Sequence, residues 1–386
     1  MDFALTTEQE LIVESTRRFV EDECMPHEPE VERQDAVPAE LQRQIRAKAI
    51  ENGFYAANMP EALGGGGLDT LTLTLMEREL GKTNFALQAL VHRPSNILRA
   101  CTDAQAEHYL YPVIRGERME CVAMTEPNAG SDLRGMETTA VRDGDDWVIN
   151  GTKHFISHAD LADFTVLFAA TGAEETPRGK RKKITTFLVD HDTPGMEVRP
   201  GYNSPCHRGY HNSILNFDDC RVPNSRVLGE IDQGFEVANT WLAPARLTVA
   251  IQSVGRAQRA LALAADWAAN RKQFGQPVGR FQGTSFKIAD MATEIEAAEM
   301  LCLRAAWRHD QGTMTDTDAA MAKLYATEAL GRVADHAVQI FGGMGLVDET
   351  PVERLWRDAR LERIWDGTSE IQRHVISRAI LRDYEQ

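Results

Sequence analysis

The sequence predicts a mostly α-helical protein with a central β-domain. It divides into an N-terminal helical domain over residues 1–119, a middle domain of antiparallel strands in a barrel or sandwich over 120–233, and a C-terminal helical domain over 234–386. Three observations predict this. Apolar residues recur every three or four positions in the first third and again after Gly234. Short β-branched and aromatic runs separated by turn formers fill the middle. The 386 residues also exceed one average domain of roughly 150.

Composition sets the class. With 43% hydrophobic and 26% charged residues, and only 15 Pro and 28 Gly, the chain has the makeup of a folded globular protein. Its 42 basic against 58 acidic residues leave a net charge of −16, which argues against general affinity for nucleic acid or anionic membrane, so an anionic ligand must meet local positive charge. Six cysteines (Cys24, Cys101, Cys121, Cys206, Cys220, Cys302) form no C-x-x-C pair and read as thiols of a reducing compartment. The opening MDFALTTEQE lacks the basic and apolar regions of a signal peptide, and no apolar run reaches the ~18 residues of a membrane helix. The expectation is a soluble, cytoplasmic protein.

Taken in order, Thr6 or Thr7 caps a first helix, with Gln9 or Glu10 three residues on and apolar Ile12 and Phe19 beyond. Helices follow over Pro38–Asn52, Thr70–Leu80 and Ala104–Ile114, separated by the breaker-rich 60–67 stretch and Pro94. Gly64 to Gly67 reads as a flexible turn rather than a phosphate loop, since no strand precedes it. Strands are expected over Cys121–Thr125, Trp147–Asn150, Phe164–Ala169, Ile184–Val189 and Ser213–Phe217, with Asn128-Ala-Gly and Asp143-Gly-Asp-Asp as the clearest breaks. After Gly234, the steps Ile288, Met291, Ile295, Ala298, Cys302 and Ala305 place one apolar stripe on a long helix. Another helix spans about Thr317–Ile340, and a last one follows Asp366-Gly367 with Thr368 or Ser369 as cap. The basic run Lys180–Lys183, with Arg178, reads as a solvated loop. His207 and His211 lack the Glu or Cys neighbours of a metal site.

Met124-Thr-Glu-Pro-Asn-Ala-Gly-Ser-Asp132, the INGTKHFIS run ending at Ser157, Arg271-Lys-Gln-Phe-Gly-Gln-Pro277, Gln339-Ile-Phe-Gly-Gly-Met-Gly345 and the terminal DGTSEIQR from Asp366 stand in one order over some 250 residues. In these motifs and their order the chain resembles the acyl-CoA dehydrogenase family. The resemblance implies a C-terminal four-helix bundle, FAD held between the β-domain and that bundle, an acyl-CoA substrate, an electron-transferring flavoprotein as acceptor, and a homotetramer in which a neighbouring subunit completes the cofactor site.

Residue by residue, it implies that Met124 and Thr125 meet the flavin ring, that Gly130 and Ser131 lie near the pyrophosphate and CoA, and that Phe155 and Ser157 sit beside the ring. Arg271 and Phe274, with Gln339, Gly342 and Gly343, would form the adenosine end. Thr368 and Glu370 would approach the cofactor from the last helix, and Arg246 and Arg93 would line the substrate pocket. Asp366 would take the α-proton while the β-hydrogen leaves as hydride to flavin N5. This chain departs from the family at three of these positions: Phe155 replaces a common Trp, Glu370 a common Gln, and Asp366 the usual Glu. Aspartate retracts the carboxylate by one C–C bond, about 1.5 Å, and a misplacement near 1 Å costs ~100-fold in rate unless compensated. The alternative base position of some members, just before an Arg, is Ala245 here.

Apart from the resemblance, the same residues have ordinary uses: a turn between strands, an aromatic in a β-core, surface arginines, a helix stop at Gly342-Gly343, an Asp-Gly turn. His92 and Arg93, where fatty-acid enzymes tend to be apolar, point to a polar or anionic acyl group. Two rivals stand beside dehydrogenation. One is a flavin oxidase resembling nitroalkane oxidase, with an Asp base and Arg373 on the following helix. The other is a catalytically silent flavin-binding oligomer.

Overall fold

The computed structural model describes residues 4–176, 179–382 and 384. The N-terminal helices are α1 (Thr7–Phe19), α2 (Glu28–Gln34), α3 (Ala39–Glu51), α4 (Thr70–Leu80), α5 (Phe85–Gln88), α6 (Asp103–Gln105) and α7 (Tyr111–Ile114). Thr6 caps α1 reciprocally: its hydroxyl accepts from the Gln9 N–H at 3.2 Å, and the Gln9 side chain accepts from the Thr6 N–H at 3.1 Å. The expected Ala104–Ile114 helix is broken by a π-turn over Ala106–Leu110. Pro112 has no N–H for the His108 carbonyl, which accepts from Arg118 Nη1 at 3.1 Å instead. The glycine turn is packed rather than free, because a Cβ on Gly65 would sit 2.3 Å from the Met59 carbonyl oxygen. The N–H groups of Gly65, Gly66 and Gly67 donate to Pro60, Ala56 and Met59, leaving none for a phosphate.

Eight strands form one sheet: β1 (Glu120–Ala123), β2 (Thr139–Asp143), β3 (Asp146–Ser157), β4 (Phe164–Thr176), β5 (Gly179–Asp190), β6 (Met196–Pro200), β7 (Asn212–Pro223) and β8 (Val227–Leu228). The order is β6-β7-β3-β2-β4-β5-β8, with β1 added beside β4. Pairing is antiparallel except that β1 and β2 each run parallel to β4. The apolar run in β4 is buried on both faces. Phe164, Val166 and Phe168 join the core of the N-terminal helices, while Leu167 and Ala169 join a second core with Trp147, Ile149, Phe187 and Leu215. Lys180–Lys183 belong to β5, which corrects the expected loop; Lys183 pairs with Asp232 at 3.0 Å. Arg178 lies outside the described residues.

The C-terminal unit holds α8 (Gly234–Asn270), a small hairpin of β9 (Lys272–Gln273) and β10 (Gln276–Pro277), α9 (Gln282–Asp310), α10 (Asp316–Phe341), α11 (Pro351–Glu362) and α12 (Ser369–Arg382). Helices α8, α9 and α10 pack on one another, and α11 and α12 pack on α10. The expected stripe on α9 is buried at Met291, Ile295, Ala298, Cys302 and Ala305. Helix α4 crosses α8 at two glycines: a Cβ on Gly255 would lie 2.0 Å from the Arg78 carbonyl oxygen, and one on Gly81 would lie 2.5 Å from that of Gln252. This contact seats the N-terminal helices on the bundle. Among the described residues, no helix is long and apolar enough to cross a membrane.

Candidate active site

All three domains contribute to one cavity. The loop after α5 supplies His92 and Arg93, the loop after β1 supplies Met124, Thr125, Gly130 and Ser131, and the end of β3 supplies Phe155, Ser157 and His158. The first half of α8 adds Trp241, Arg246 and Thr248, and the turn after α11 adds Trp365, Asp366 and Gly367. Pro244 removes one ladder hydrogen bond from α8 within the stretch that lines the cavity.

On the β side, backbone shape does the aiming. The β3–β7 register shifts between Lys153 and Ile156, and within that bulge Phe155 takes φ 53°, unusual for a bulky residue. The bulge turns the ring outward, 53% exposed, with Tyr202 beside it at 4.9 Å between centroids. Beneath the loop after β1, buried Lys153 donates to the Met124 carbonyl at 2.9 Å and to Glu126 Oε1 at 2.7 Å. Glu126 in turn accepts the backbone N–H groups of Glu137 and Thr138. Burial pulls the Lys153 pKa down to about 8 against the attraction of Glu126. His158, also with positive φ, is pushed by burial to about 3 and is neutral at neutral pH.

Opposite lies the Asp366 turn. Asp366 and Gly367 have φ 47° and 92°, consecutive left-handed residues, a conformation Asp tolerates better than most side chains. Burial raises the Asp366 pKa, and the Glu362 charge adds to the rise, while Lys323, Arg246 and Arg93 oppose it. Buried Glu362 accepts from Trp365 Nε1 at 2.8 Å and pairs with Arg256 at 3.2 Å and His207 at 2.9 Å. These partners outweigh its burial and hold its pKa at about 2. Lys323 of α10, invisible as a site residue in the motifs, donates to the carbonyls of Trp365 and Gly367, each at 2.7 Å.

Two arginines enter the cavity by different routes. Half-buried Arg93 pairs with Glu77 at 2.6 Å and donates to Thr248 Oγ1 at 2.8 Å. Gln252 holds the other Glu77 oxygen at 2.7 Å. The buried Nε of Arg246 has no hydrogen-bond partner, and burial lowers this arginine's pKa. Among the described residues Arg246 forms no ion pair within 4 Å, so a structural salt bridge does not account for it.

The remaining expected residues lie outside this cavity. Thr368 caps α12, accepting from the Ile371 N–H at 3.2 Å, and Glu370 is exposed two residues on. Arg271 and Phe274 sit at the far end of α8 and in the hairpin, with Phe274 93% exposed. The Gln339–Gly343 end of α10 lies nearby, since Trp267 and Phe341 stack at 4.7 Å. From Arg246 to Arg271 the helix runs 25 residues, about 37 Å. Residues at the two ends therefore cannot meet one ring. Arg373 is exposed and points to Glu328 and Glu370 at 3.8 and 3.9 Å, which removes the observation that would favour the nitroalkane-oxidase reading. His207 is committed to Glu362, and His211 to the Asp35 carbonyl at 2.8 Å.

A cavity walled by a strand bulge on one side and a carboxylate turn on the other defines a class, and comparison with known proteins gives it a family. The acyl-CoA dehydrogenase N-terminal, middle and C-terminal domain models match residues 6–117, 121–220 and 232–381. The chain is 38% identical to the probable acyl-CoA dehydrogenase YngJ of Bacillus subtilis, over 99% of this chain and 100% of that protein. It is 38% identical to the caffeyl-CoA reductase-Etf complex subunit CarC of Acetobacterium woodii, over 89% of this chain and 91% of that one. The butyryl-CoA dehydrogenase structure from Megasphaera elsdenii superposes with TM-score 0.89 at 35% identity, covering 99% of this chain and 100% of that one. The chain belongs to the acyl-CoA dehydrogenase family: it is a flavoprotein oxidoreductase acting on CH–CH bonds, with FAD as its cofactor.

Proposed function

We propose that the protein introduces a 2,3-double bond into an acyl-CoA thioester, or removes one, with Asp366 as the base at the α-carbon. The observation that carries this reading is Asp366 itself, a half-buried carboxylate that lines the cavity with the Met124–Ser131 loop and Phe155. That loop, Phe155 and Ser157 would hold FAD, which when bound would supply the acceptor for the β-hydrogen and its electron pair. The residues present fit such a group: a flat ring turned outward at Phe155, a backbone loop pinned from below by Lys153, and an unpartnered Arg246 Nε for a polar or anionic ligand. Asp366 would receive the α-proton, and its backbone N–H would polarise the thioester oxygen. Lys323, Arg246 and Arg93 oppose the rise that burial gives this carboxyl.

Arg93 gives the cavity wall hydrogen-bond donors, but Glu77 already answers its charge. This supports an acyl group with a polar end over a plainly anionic one. Unchanged selectivity of Arg93→Leu across acyl-CoAs would remove that part of the reading. Arg271, Phe274, Gln339, Gly342 and Gly343, too far from the ring end in one chain, suit the adenosine end of a cofactor bound by a second copy, in keeping with a homotetramer. An electron-transferring flavoprotein is the proposed redox partner, a reading supported by the Etf complex to which the Acetobacterium relative belongs. The test is anaerobic loss of the flavin's visible absorbance with short, branched, cyclic and polar acyl-CoAs. If no acyl-CoA bleaches a bound flavin, the substrate class is wrong.

A further inference from the structure

We propose that Lys323 is the positioning residue of the base turn: its ammonium, donating to the carbonyls on both sides of Asp366, fixes the left-handed turn and sets a positive charge beside the carboxylate. The proposal rests on Asp366 being the base. Lys323 is fully buried, with 0% exposure. Its Nζ lies 2.7 Å from the Trp365 oxygen and 2.7 Å from the Gly367 oxygen. Among the described residues it forms no ion pair within 4 Å. A buried ammonium without a contacting counterion is costly, and burial lowers the Lys323 pKa to about 8, so the charge persists at neutral pH. The charged groups facing it are Asp366, Glu362 and Glu328, which favour its charge, and Arg246, which opposes it; Asp366 acts most strongly.

The position makes a purely architectural role a poor account. Ala319, Lys323, Ala326, Leu330 and Val333 follow one another in steps of four and three along α10, and all are buried. The lysine therefore occupies a core position on the same stripe as apolar Leu330 and Val333. What it adds is two donors to the carbonyls of this turn, beside the bond from Gln372 Nε2 to the same Gly367 oxygen at 2.8 Å. It also adds a cation beside the base. Holding both flanking carbonyls restricts the rotation that would swing the Asp366 carboxylate away from the substrate.

The experiment uses FAD-loaded Lys323→Met and Lys323→Gln beside wild type and Asp366→Asn, following anaerobic flavin bleaching by an active acyl-CoA against pH. Lys323→Met is expected to slow bleaching about ten- to a hundred-fold. It should also move the acid limb of the rate profile to higher pH, because loss of a facing cation raises a carboxylate's pKa. Lys323→Gln, which keeps donors but no charge, should recover part of the rate and leave the limb shifted. A Lys323→Met rate within about twofold of wild type with an unmoved limb overturns the proposal. Failure of both variants to fold or to take up FAD also overturns it, by assigning the lysine to folding. Wild-type bleaching in Asp366→Asn would instead sink the base assignment, whatever the lysine variants do.

Discussion

Replacing Asp366 by Asn should make the protein more stable and nearly inactive. Burial, the largest influence on this carboxyl, raises its folded-state pKa above its ordinary value of 3.8. The folded protein then binds the proton more readily than the unfolded chain does. Stability therefore falls as pH rises from the unfolded value through the folded one, and it stays lower at neutral pH. Each unit of such a rise corresponds to about 1.4 kcal/mol, and the uncharged amide avoids it. Arg246, Lys323 and Arg93 pull the other way, so the sign of the result tests whether burial outweighs them. Removing a general base costs ~10²–10⁴ in rate. Denaturant titrations at saturating FAD, at neutral and mildly acidic pH, should show a gain that shrinks toward acid, and stopped-flow bleaching should show the loss of rate. A less stable variant at neutral pH, or one that bleaches like wild type, refutes the reasoning.

Glu362→Gln leaves Arg256 buried without its counter-charge and should cost about 3–5 kcal/mol in denaturant unfolding. In wild type the Glu362 carboxylate stabilises above its ordinary pKa of 4.5, a contribution lost as pH falls toward about 2, so the variant should also show a flatter acid-unfolding limb. Lys153→Met strands buried Glu126 and frees the Met124 carbonyl. Flavin fluorescence should report faster FAD release, with a stability loss of roughly 3 kcal/mol. Gly255→Ala forces a methyl against the Arg78 carbonyl and should destabilise by about 1–3 kcal/mol or more, seen as a lower melting temperature. An unchanged melting temperature would mean that the α4–α8 crossing relaxes freely.

Much of this architecture was legible in the residues. The α1 cap, α4, the α9 stripe and the alternation of helical and β textures follow from period and turn chemistry, which are local properties. The π-turn at Ala106–Leu110 was not, because an apolar spacing does not say which carbonyl Pro112 abandons or that Arg118 takes it up. Nor was the parallel placement of β1 and β2 against β4, which is decided by packing on two cores at once. At the site, the motif residues Met124, Thr125, Phe155, Ser157 and Asp366 do converge on one cavity. The reading of the Lys180–Lys183 run as a loop did not survive, since its pairing with β4 is a contact between strands that the run's charge does not reveal.

The residues that sequence reasoning passed over share one physical character. Lys153 and Lys323 are both fully buried, and each donates to backbone carbonyls of a segment that lines the cavity, Met124 on one wall and Trp365 and Gly367 on the other. A loop cannot hold a fixed shape through its own hydrogen bonds when its backbone must face a ligand, so its outward groups need donors from behind. Lysine meets that need with three donors on a long apolar stem that crosses a core. The sequence does carry a trace of both: a lysine between Gly151 and Phe155 in a strand, and a lysine on the apolar stripe of α10. Polar residues at positions whose period demands an apolar one are thus where support for an active site is to be sought, one layer behind the motifs that name it.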